Sequence, residues 1–201
     1  MIQGRSSLRV ILASASPRRR ELLGRLGVEF DVVPSEIDEI LDGAPSPETV
    51  AALALAKARA VAARVTDGVV LGADTVVVID GIALGKPVDA DDARAMLRRL
   101  RGRGHDVITA VAVVDVGTGR AETTAVVTRV MMADVGDDVI EAYVGTGEPL
   151  DKAGAYAIQG RGAALVGGFV GSYSNVVGLP LGATARLLHG FGVEVSAPAE
   201  E

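Results

Sequence analysis

The chain has 201 residues, of which 49% are hydrophobic and 23% charged, a composition typical of a globular protein with a sizeable core. It has no cysteine and only two histidines, which excludes disulfides and cysteine nucleophiles and argues against a zinc site. The formal charge of −6 disfavours nucleic-acid polymers but allows a small anionic ligand in a locally basic pocket. No signal peptide and no membrane-spanning apolar stretch is evident, so we expect a cytoplasmic protein that does not enter a membrane.

The N-terminal part of the chain predicts a strand that leads directly into a helix. An apolar run over residues 8–12 predicts a buried strand, and Ser16 followed by Pro17 is typical of a helix N-cap with proline in the first turn. Ser14, Ser16 and the arginines at 18–20 would then gather at a helix start, whose free N–H groups already attract anions. The pattern predicts a phosphate site, and a capped helix with solvated arginines is the alternative.

Two charged residues fall where the pattern predicts burial. Lys57 lies on the apolar stripe of a helix that begins at Ser46-Pro47, so it needs an anionic partner unless its chain extends to solvent. Asp74 interrupts the apolar run over residues 69–79, which is typical of a strand buried on both faces. Asp74 therefore predicts a metal site, a cation partner or catalysis, and a bend at Gly72 that exposes it is the alternative.

The remaining segments alternate between strand and helix patterns, so we predict an α/β fold. Strands are expected over residues 28–34 and 193–195, helices around 93–100, 139–144 and 179–189, and a hairpin over 107–115 and 122–133. His105 is interpreted as a packing residue, and Ser172, Ser174 and Asn175 as phosphate ligands or as residues that staple a loop. We predict one domain over residues 1–201.

Eight blocks with recognisable motifs follow one another along the chain: residues 12–23, 36–39, 56–58, 72–77, 85–87, 105–109, 151–160 and 171–180. Together these blocks resemble the Maf family of nucleoside triphosphate pyrophosphatases. The resemblance implies a mixed, elongated sheet flanked by helices, of the kind also found in Ham1 (inosine-triphosphatase-like) proteins. It further implies two lobes around a cleft, and a homodimer.

The reaction implied by the resemblance is hydrolysis between the α and β phosphates of a nucleotide, which yields a monophosphate and pyrophosphate. A divalent cation, Mg²⁺ or Mn²⁺, is implied as the cofactor. The implied catalytic residues are Asp74, Glu36 and Lys57, with Glu36 and Asp74 as the metal ligands. Asp74 is also the presumed base, and its two roles stay open because one carboxylate cannot easily serve as sole base and direct ligand.

The implied substrate-binding residues share hydroxyl, amide or cationic groups: Ser14, Ser16, Arg18, Arg19, Lys86, Lys152, Thr75 and Gln159. The cations suit a triphosphate, and the amide of Gln159 can pair with a uracil or thymine edge. Arg18, Thr75 and Gln159 resemble the branch of the family that acts on dTTP and UTP rather than on 7-methyl-GTP. Two alternatives stay open: a non-catalytic nucleotide-binding regulator of septum formation, and a purine-selective pyrophosphatase of the inosine-triphosphate type.

Overall fold

The computed structural model describes residues 8–37 and 44–196, and this part of the chain has a mixed α/β fold. Its strands are β1 (Val10–Leu12), β2 (Phe30–Val32), β3 (Val69–Ile79), β4 (Ile82–Leu84), β5 (Gly104–Asp115), β6 (Ala121–Met132) and β7 (Val166–Val170). Its helices are α1 (Pro17–Gly24), α2 (Pro47–Ala62), α3 (Ala90–Leu100), α4 (Asp137–Val144), α5 (Tyr173–Val177) and α6 (Leu181–Gly190). Within these ranges, no helix combines the length and apolar character that a membrane crossing requires.

All seven strands in the described ranges belong to one sheet, whose order is β2-β1-β3-β5-β6-β7, with β4 paired to the end of β3. β1 runs parallel to β2 and β3, whereas every other pairing is antiparallel. Three short 3₁₀ helices, Glu148–Asp151, Ala153–Ala155 and Gly160–Leu165, connect α4 to β7. The predicted mixed sheet flanked by helices is confirmed.

β3 supplies side chains to both faces of the sheet, because successive residues of a strand point in opposite directions. Leu71 packs with α1 and α6 on one face, whereas Val70 packs with α2 on the other. α2 lies so close to β3 that a Cβ on Gly72 would be 2.4 Å from the carbonyl oxygen of Ala54. The missing side chain at Gly72 therefore sets the distance between α2 and the sheet.

Most of the predicted elements form, but one predicted strand is wrong. Ser16 and Ser46 cap α1 and α2 as expected, each accepting a hydrogen bond from a backbone N–H of the first turn. Residues 193–195, predicted as a strand, form no ladder. The chain there bonds back to non-strand segments, since Val193 N–H donates to Leu188 O and Ser196 N–H donates to Leu26 O. The apolar character of this segment reflects core packing of Val193 rather than a sheet position.

Candidate active site

The candidate site lies where one edge of β3 is left uncovered by the sheet. β1 pairs with β3 as far as Leu71, and β4 begins to pair with it at Val77. In between, within the part of the chain that the structure describes, residues 72–76 have no strand neighbour on that side. A cleft of about 990 Å³ is lined by residues 74–77 together with the segments that follow β1 and β4, a volume that suits a small-molecule ligand.

The cleft gathers every catalytic, metal-binding and substrate-binding residue implied by the family resemblance, whereas Ser172, Ser174 and Asn175 are not part of its lining. The first turn of α1 and the loop before it contribute to its wall, as do α2, β3, the loop after β4 and the 3₁₀ region. The predicted residues in the lining are Ser14, Ser16, Arg18, Arg19, Glu36, Lys57, Asp74, Thr75, Lys86, Lys152 and Gln159. Their placement in one cleft is a finding, and the role of each stays a prediction.

Lys57 and Asp74 form a buried ion pair in the wall of the cleft. Lys57 Nζ donates to Asp74 Oδ1 at 2.6 Å, and the two side chains are only 4% and 5% exposed. α2 carries Lys57 over β3 because Ala54 and Ala58, on either side of it in sequence, pack against Gly72. Each charge thus has the partner that its burial demands. The two alternatives, a solvated Lys57 and a bend that exposes Asp74, are wrong.

The turn between β1 and α1 holds a guanidinium group against the sheet. Ser14 Oγ accepts hydrogen bonds from the Ser16 N–H at 3.2 Å and from Arg19 Nη1 at 3.3 Å. Arg19 Nε also donates to Gly178 O at 2.9 Å, and its Nη2 donates to Thr75 Oγ1 at 3.1 Å. The Arg19 guanidinium therefore has a defined orientation next to the helix start, where N–H groups favour anions.

A second group of charges, here called the rim triad, consists of Arg18, Asp151 and Lys152. Asp151 accepts from Arg18 Nη1 at 3.3 Å and from Lys152 Nζ at 2.6 Å, and Lys152 Nζ also donates to Glu148 O at 2.6 Å. Partial burial opposes ionisation, but Lys152 and Arg18 hold the pKa of Asp151 below its ordinary value. Sequence reasoning missed the role of Asp151, since only folding brings it to Arg18.

Glu36 also lines the cleft and is exposed. Its backbone has a φ of 57°, in the left-handed region, and its Oε2 accepts from Arg64 Nη1 at 3.1 Å. The predicted acidic motif continues into Asp38 and Glu39, which lie outside the described residues. Within the described ranges no cluster of three or more histidine, aspartate or glutamate side chains could hold a metal ion.

Gln159 lines the cleft just before the last 3₁₀ helix and is partly exposed. Its side-chain amide has no hydrogen-bond partner among residues 8–37 and 44–196. The segment that carries it is held by Tyr143, whose hydroxyl donates to Glu148 Oε1 at 3.1 Å and accepts from the Ala157 N–H at 3.2 Å. The amide is thus presented to the cleft by an anchored backbone.

Other polar residues of the motifs have structural contacts. His105 is fully buried, and its Nε2 lies 2.7 Å from the hydroxyl of Tyr156. Burial lowers the pKa of His105 to about 4, so its ring is neutral at neutral pH. Asn175 Nδ2 donates to Val107 O at 3.0 Å and to Thr128 Oγ1 at 2.9 Å, which ties α5 to the sheet. The contacts of Asn175 are therefore those of a residue that fixes a loop to the sheet.

Comparison with known proteins gives consistent matches over most of the chain. A family model described as Maf-like protein matches residues 9–191. The dTTP/UTP pyrophosphatase of Moorella thermoacetica is 57% identical over 188 residues, which cover 93% of this chain and 97% of the relative. The dTTP/UTP pyrophosphatase of Anaeromyxobacter dehalogenans is 56% identical over 187 residues, or 92% and 94% of the two chains. Among solved structures, a dITP/XTP pyrophosphatase of Mycobacterium abscessus superposes with a TM-score of 0.48 at 16% identity, covering 92% of this chain and 97% of that one.

Proposed function

The chain belongs to the Maf family, and on this premise we propose that it is a nucleoside triphosphate pyrophosphatase acting on dTTP and UTP. The products are the nucleoside monophosphate and pyrophosphate. The observation that carries the proposal is the buried Lys57–Asp74 pair in the wall of a cleft that also contains serine hydroxyls and cationic side chains. Simple binding of an anion has no need of a buried carboxylate.

The cleft is suited to a triphosphate because cations from three separate segments line it. Arg18 and Arg19 lie at the start of α1, Lys86 follows β4, and Lys152 belongs to the 3₁₀ region. A nucleoside triphosphate carries about four negative charges, and charged hydrogen bonds to its oxygens are stronger than neutral ones. The free N–H groups at the start of α1 supply a further anion site.

In the proposed mechanism, Asp74 orients a water molecule for attack at phosphorus and accepts its proton as the α–β anhydride bond breaks. Lys57 fixes the carboxylate through its 2.6 Å hydrogen bond and balances its charge. The pyrophosphate leaves as the anhydride oxygen takes the bonding electrons, and the cations of the cleft stabilise the charge that develops on it.

The family resemblance implies a divalent cation, and the carboxylates in the cleft lining fit one. Mg²⁺ is typically held by one or two protein carboxylates together with substrate phosphates, so Glu36 and Asp74 suffice as protein ligands. When bound, Mg²⁺ or Mn²⁺ would neutralise phosphate charge and make the phosphorus more electrophilic. Glu36 would exchange its contact with Arg64 for the cation.

We assign selection of the pyrimidine base to Gln159, which lines the same cleft as Arg18 and Thr75. A carboxamide offers one donor and one acceptor, which matches the N3–H and carbonyl groups of uracil and thymine. The relatives from Moorella thermoacetica and Anaeromyxobacter dehalogenans carry the name dTTP/UTP pyrophosphatase, which supports the same substrates here.

One assay distinguishes this proposal from the two alternatives, a purine-selective pyrophosphatase and a non-catalytic nucleotide-binding regulator. The purified protein is incubated with dTTP, UTP, CTP, GTP and ITP in Mg²⁺ or Mn²⁺, and the phosphate products are quantified. We expect pyrophosphate and monophosphate, fastest from dTTP and UTP. A preference for ITP would favour the purine-selective alternative, and binding without turnover would favour a regulator of septum formation. Orthophosphate with a diphosphate as the main products would contradict the reaction.

We further propose that residues 1–201 act as one domain, that the protein works as a cytoplasmic homodimer, and that its substrate is drawn from the free nucleotide pool. The homodimer is an implication of the family resemblance, and light scattering at several protein concentrations tests it. A mass of 20.5 kDa at every concentration would correspond to a monomer and would contradict it.

A further inference from the structure

A chain of hydroxyl groups links the Arg19 guanidinium to a residue that lies outside the cleft lining. Thr75 and Thr109 face each other across β3 and β5, with their hydroxyl oxygens 3.0 Å apart. Thr109 is fully buried, and its hydroxyl donates to the carbonyl oxygen of Asn175 at 2.8 Å. Arg19 Nη2 donates to Thr75 at 3.1 Å. Thr109 is absent from the lining of the cleft.

The Asn175 carbonyl and the Arg19 guanidinium, at the two ends of this series, determine the direction of every hydrogen bond between them. A carbonyl oxygen can only accept, so the single proton of the Thr109 hydroxyl is committed to Asn175. Thr109 must then accept from Thr75, which commits the Thr75 proton as well. The Thr75 oxygen is left to accept, and the guanidinium of Arg19 can only donate. All the hydrogen bonds therefore run from Arg19 to Asn175.

The same series of hydrogen bonds closes into a ring through the end of α5. Asn175 receives the Thr109 hydrogen bond, and Gly178, three residues further on, accepts from Arg19 Nε at 2.9 Å. Two nitrogens of the guanidinium are thus held by groups whose positions depend on Thr109. Loss of the Thr109 hydroxyl would release the Thr75 proton and remove one tie between α5 and β5.

We propose that Thr109 is a positioning residue, which acts through Thr75 and Asn175 to hold the Arg19 guanidinium in the orientation that binds the triphosphate. This inference rests on the proposed function for its kinetic test. It assigns Thr75 an acceptor role toward the cleft, because its hydroxyl proton points to Thr109. Neighbouring hydrogen bonds of this kind reinforce one another in a buried network.

The test is Thr109→Val, which keeps the shape of the side chain and removes its hydroxyl. We expect the KM for dTTP to rise about tenfold while kcat stays within about twofold, since a binding interaction is lost. Thr109→Ser, which restores a hydroxyl, should return KM to near its original value. The matched control is Thr184→Val, because Thr184 is equally buried and its hydroxyl has no hydrogen-bond partner in the described ranges.

A double-mutant cycle separates positioning from general destabilisation. In an Arg19→Ala background, Thr109→Val should cause no further rise in KM, because the group it positions is gone. The proposal is overturned if Thr109→Val raises KM by the same factor in both backgrounds, if a folded Thr109→Val keeps the original KM, or if Thr184→Val has an equal effect. If Thr109→Val does not fold, Thr109→Ala takes its place in the same cycle, with the same outcomes.

A measurement that needs no turnover tells this inference apart from the proposed function. Solvent exchange of the Arg19 Nε–H, followed by NMR, should be slow in the original protein and in Thr109→Ser. It should accelerate about tenfold or more in Thr109→Val, because the Gly178 acceptor is no longer held. Unchanged exchange would overturn the positioning role, whereas a protein that shows the expected exchange but hydrolyses no nucleotide would overturn only the proposed function.

Discussion

The buried pair and the rim triad hold similar charges in opposite settings. Lys57 and Asp74 come from the interiors of α2 and β3, two regular elements that pack tightly, and are almost inaccessible to water. Arg18, Asp151 and Lys152 come from a helix start and a 3₁₀ region, and the Asp151 side chain is 67% exposed. The buried pair is set by packing before a ligand arrives, whereas the rim can rearrange around one. From this contrast we predict that the chemistry depends on the buried pair and that the rim triad contributes to binding.

The largest effect is expected from breaking the buried pair. Asp74→Asn should lower turnover about a hundredfold or more, since it removes the carboxylate that we propose as the proton acceptor. It also removes the carboxylate that pairs with the buried Lys57 ammonium, and breaking a buried ion pair from one side should cost about 3–5 kcal/mol of unfolding free energy. Assays with dTTP and urea denaturation measure the two effects.

A double variant provides the control for this prediction. Lys57→Met combined with Asp74→Asn removes both charges of the buried pair and should restore much of the stability without restoring turnover. Turnover close to that of the original protein in a folded Asp74→Asn would contradict the assigned role.

The second effect extends the comparison to another buried group, His105. Because burial lowers its pKa from 6.5 to about 4, the unfolded chain binds a proton more readily than the folded one between these values. The contribution of His105 to the unfolding free energy is therefore fully present above about pH 6.5. It decreases as the pH falls, and about 3 kcal/mol is lost by pH 4. The slope of unfolding free energy against pH, compared between the original protein and His105→Gln over pH 5–7, checks this. Equal slopes would contradict it.

The third effect concerns Gln159, which is partly exposed, unlike the buried pair and the exposed Asp151. Gln159→Glu replaces a donor with an acceptor and adds a negative charge beside a neutral base. The lost hydrogen bond should cost about 1–3 kcal/mol, so kcat/KM for dTTP and UTP should fall about ten- to a hundredfold. CTP and GTP, measured with both proteins and one metal, are the controls and should change much less. An equal decline for all four would mean that Gln159 does not distinguish the base.

The smallest effect is expected at the rim. Arg18→Ala should raise the KM for dTTP about three- to tenfold and change the unfolding free energy by less than about 1 kcal/mol, because exposed ion pairs contribute little to stability. Arg25→Ala is the matched control, since Arg25 forms an exposed pair with Glu21 just beyond α1 and does not line the cleft. A loss of stability as large as that of Asp74→Asn would remove the distinction between rim and buried pair.

The difference between the two regions also explains how far the site could be predicted. Lys57 and Asp74 stood out in the sequence because each interrupts an apolar pattern, and burial of a charge demands a partner. Local pattern could not show that each is the partner of the other, because that depends on the packing of Ala54 and Ala58 against Gly72.

The contact between Arg18 and Asp151 in the rim triad was harder to predict from the sequence. Arg18 and Asp151 are 133 residues apart, and both are of types common on any surface. Thr109 was equally hard to recognise, because a threonine suits a strand whether or not its hydroxyl takes part in a network. The predicted strand at 193–195 failed for a related reason, since apolar residues such as Val193 mark burial without saying what lies alongside them.

The close approach of α2 to Gly72 has a consequence for how the enzyme can vary. A methyl group at this position would meet Ala54 O at 2.4 Å and Ala58 N at 2.8 Å, both of them backbone atoms that cannot rotate away. The helix would have to withdraw, and the 2.6 Å contact between Lys57 and Asp74 would lengthen with it. The geometry of the buried pair therefore depends partly on the absence of a side chain at Gly72. Gly72 should be as restricted in its substitutions as the two charged residues, although it carries no chemistry of its own.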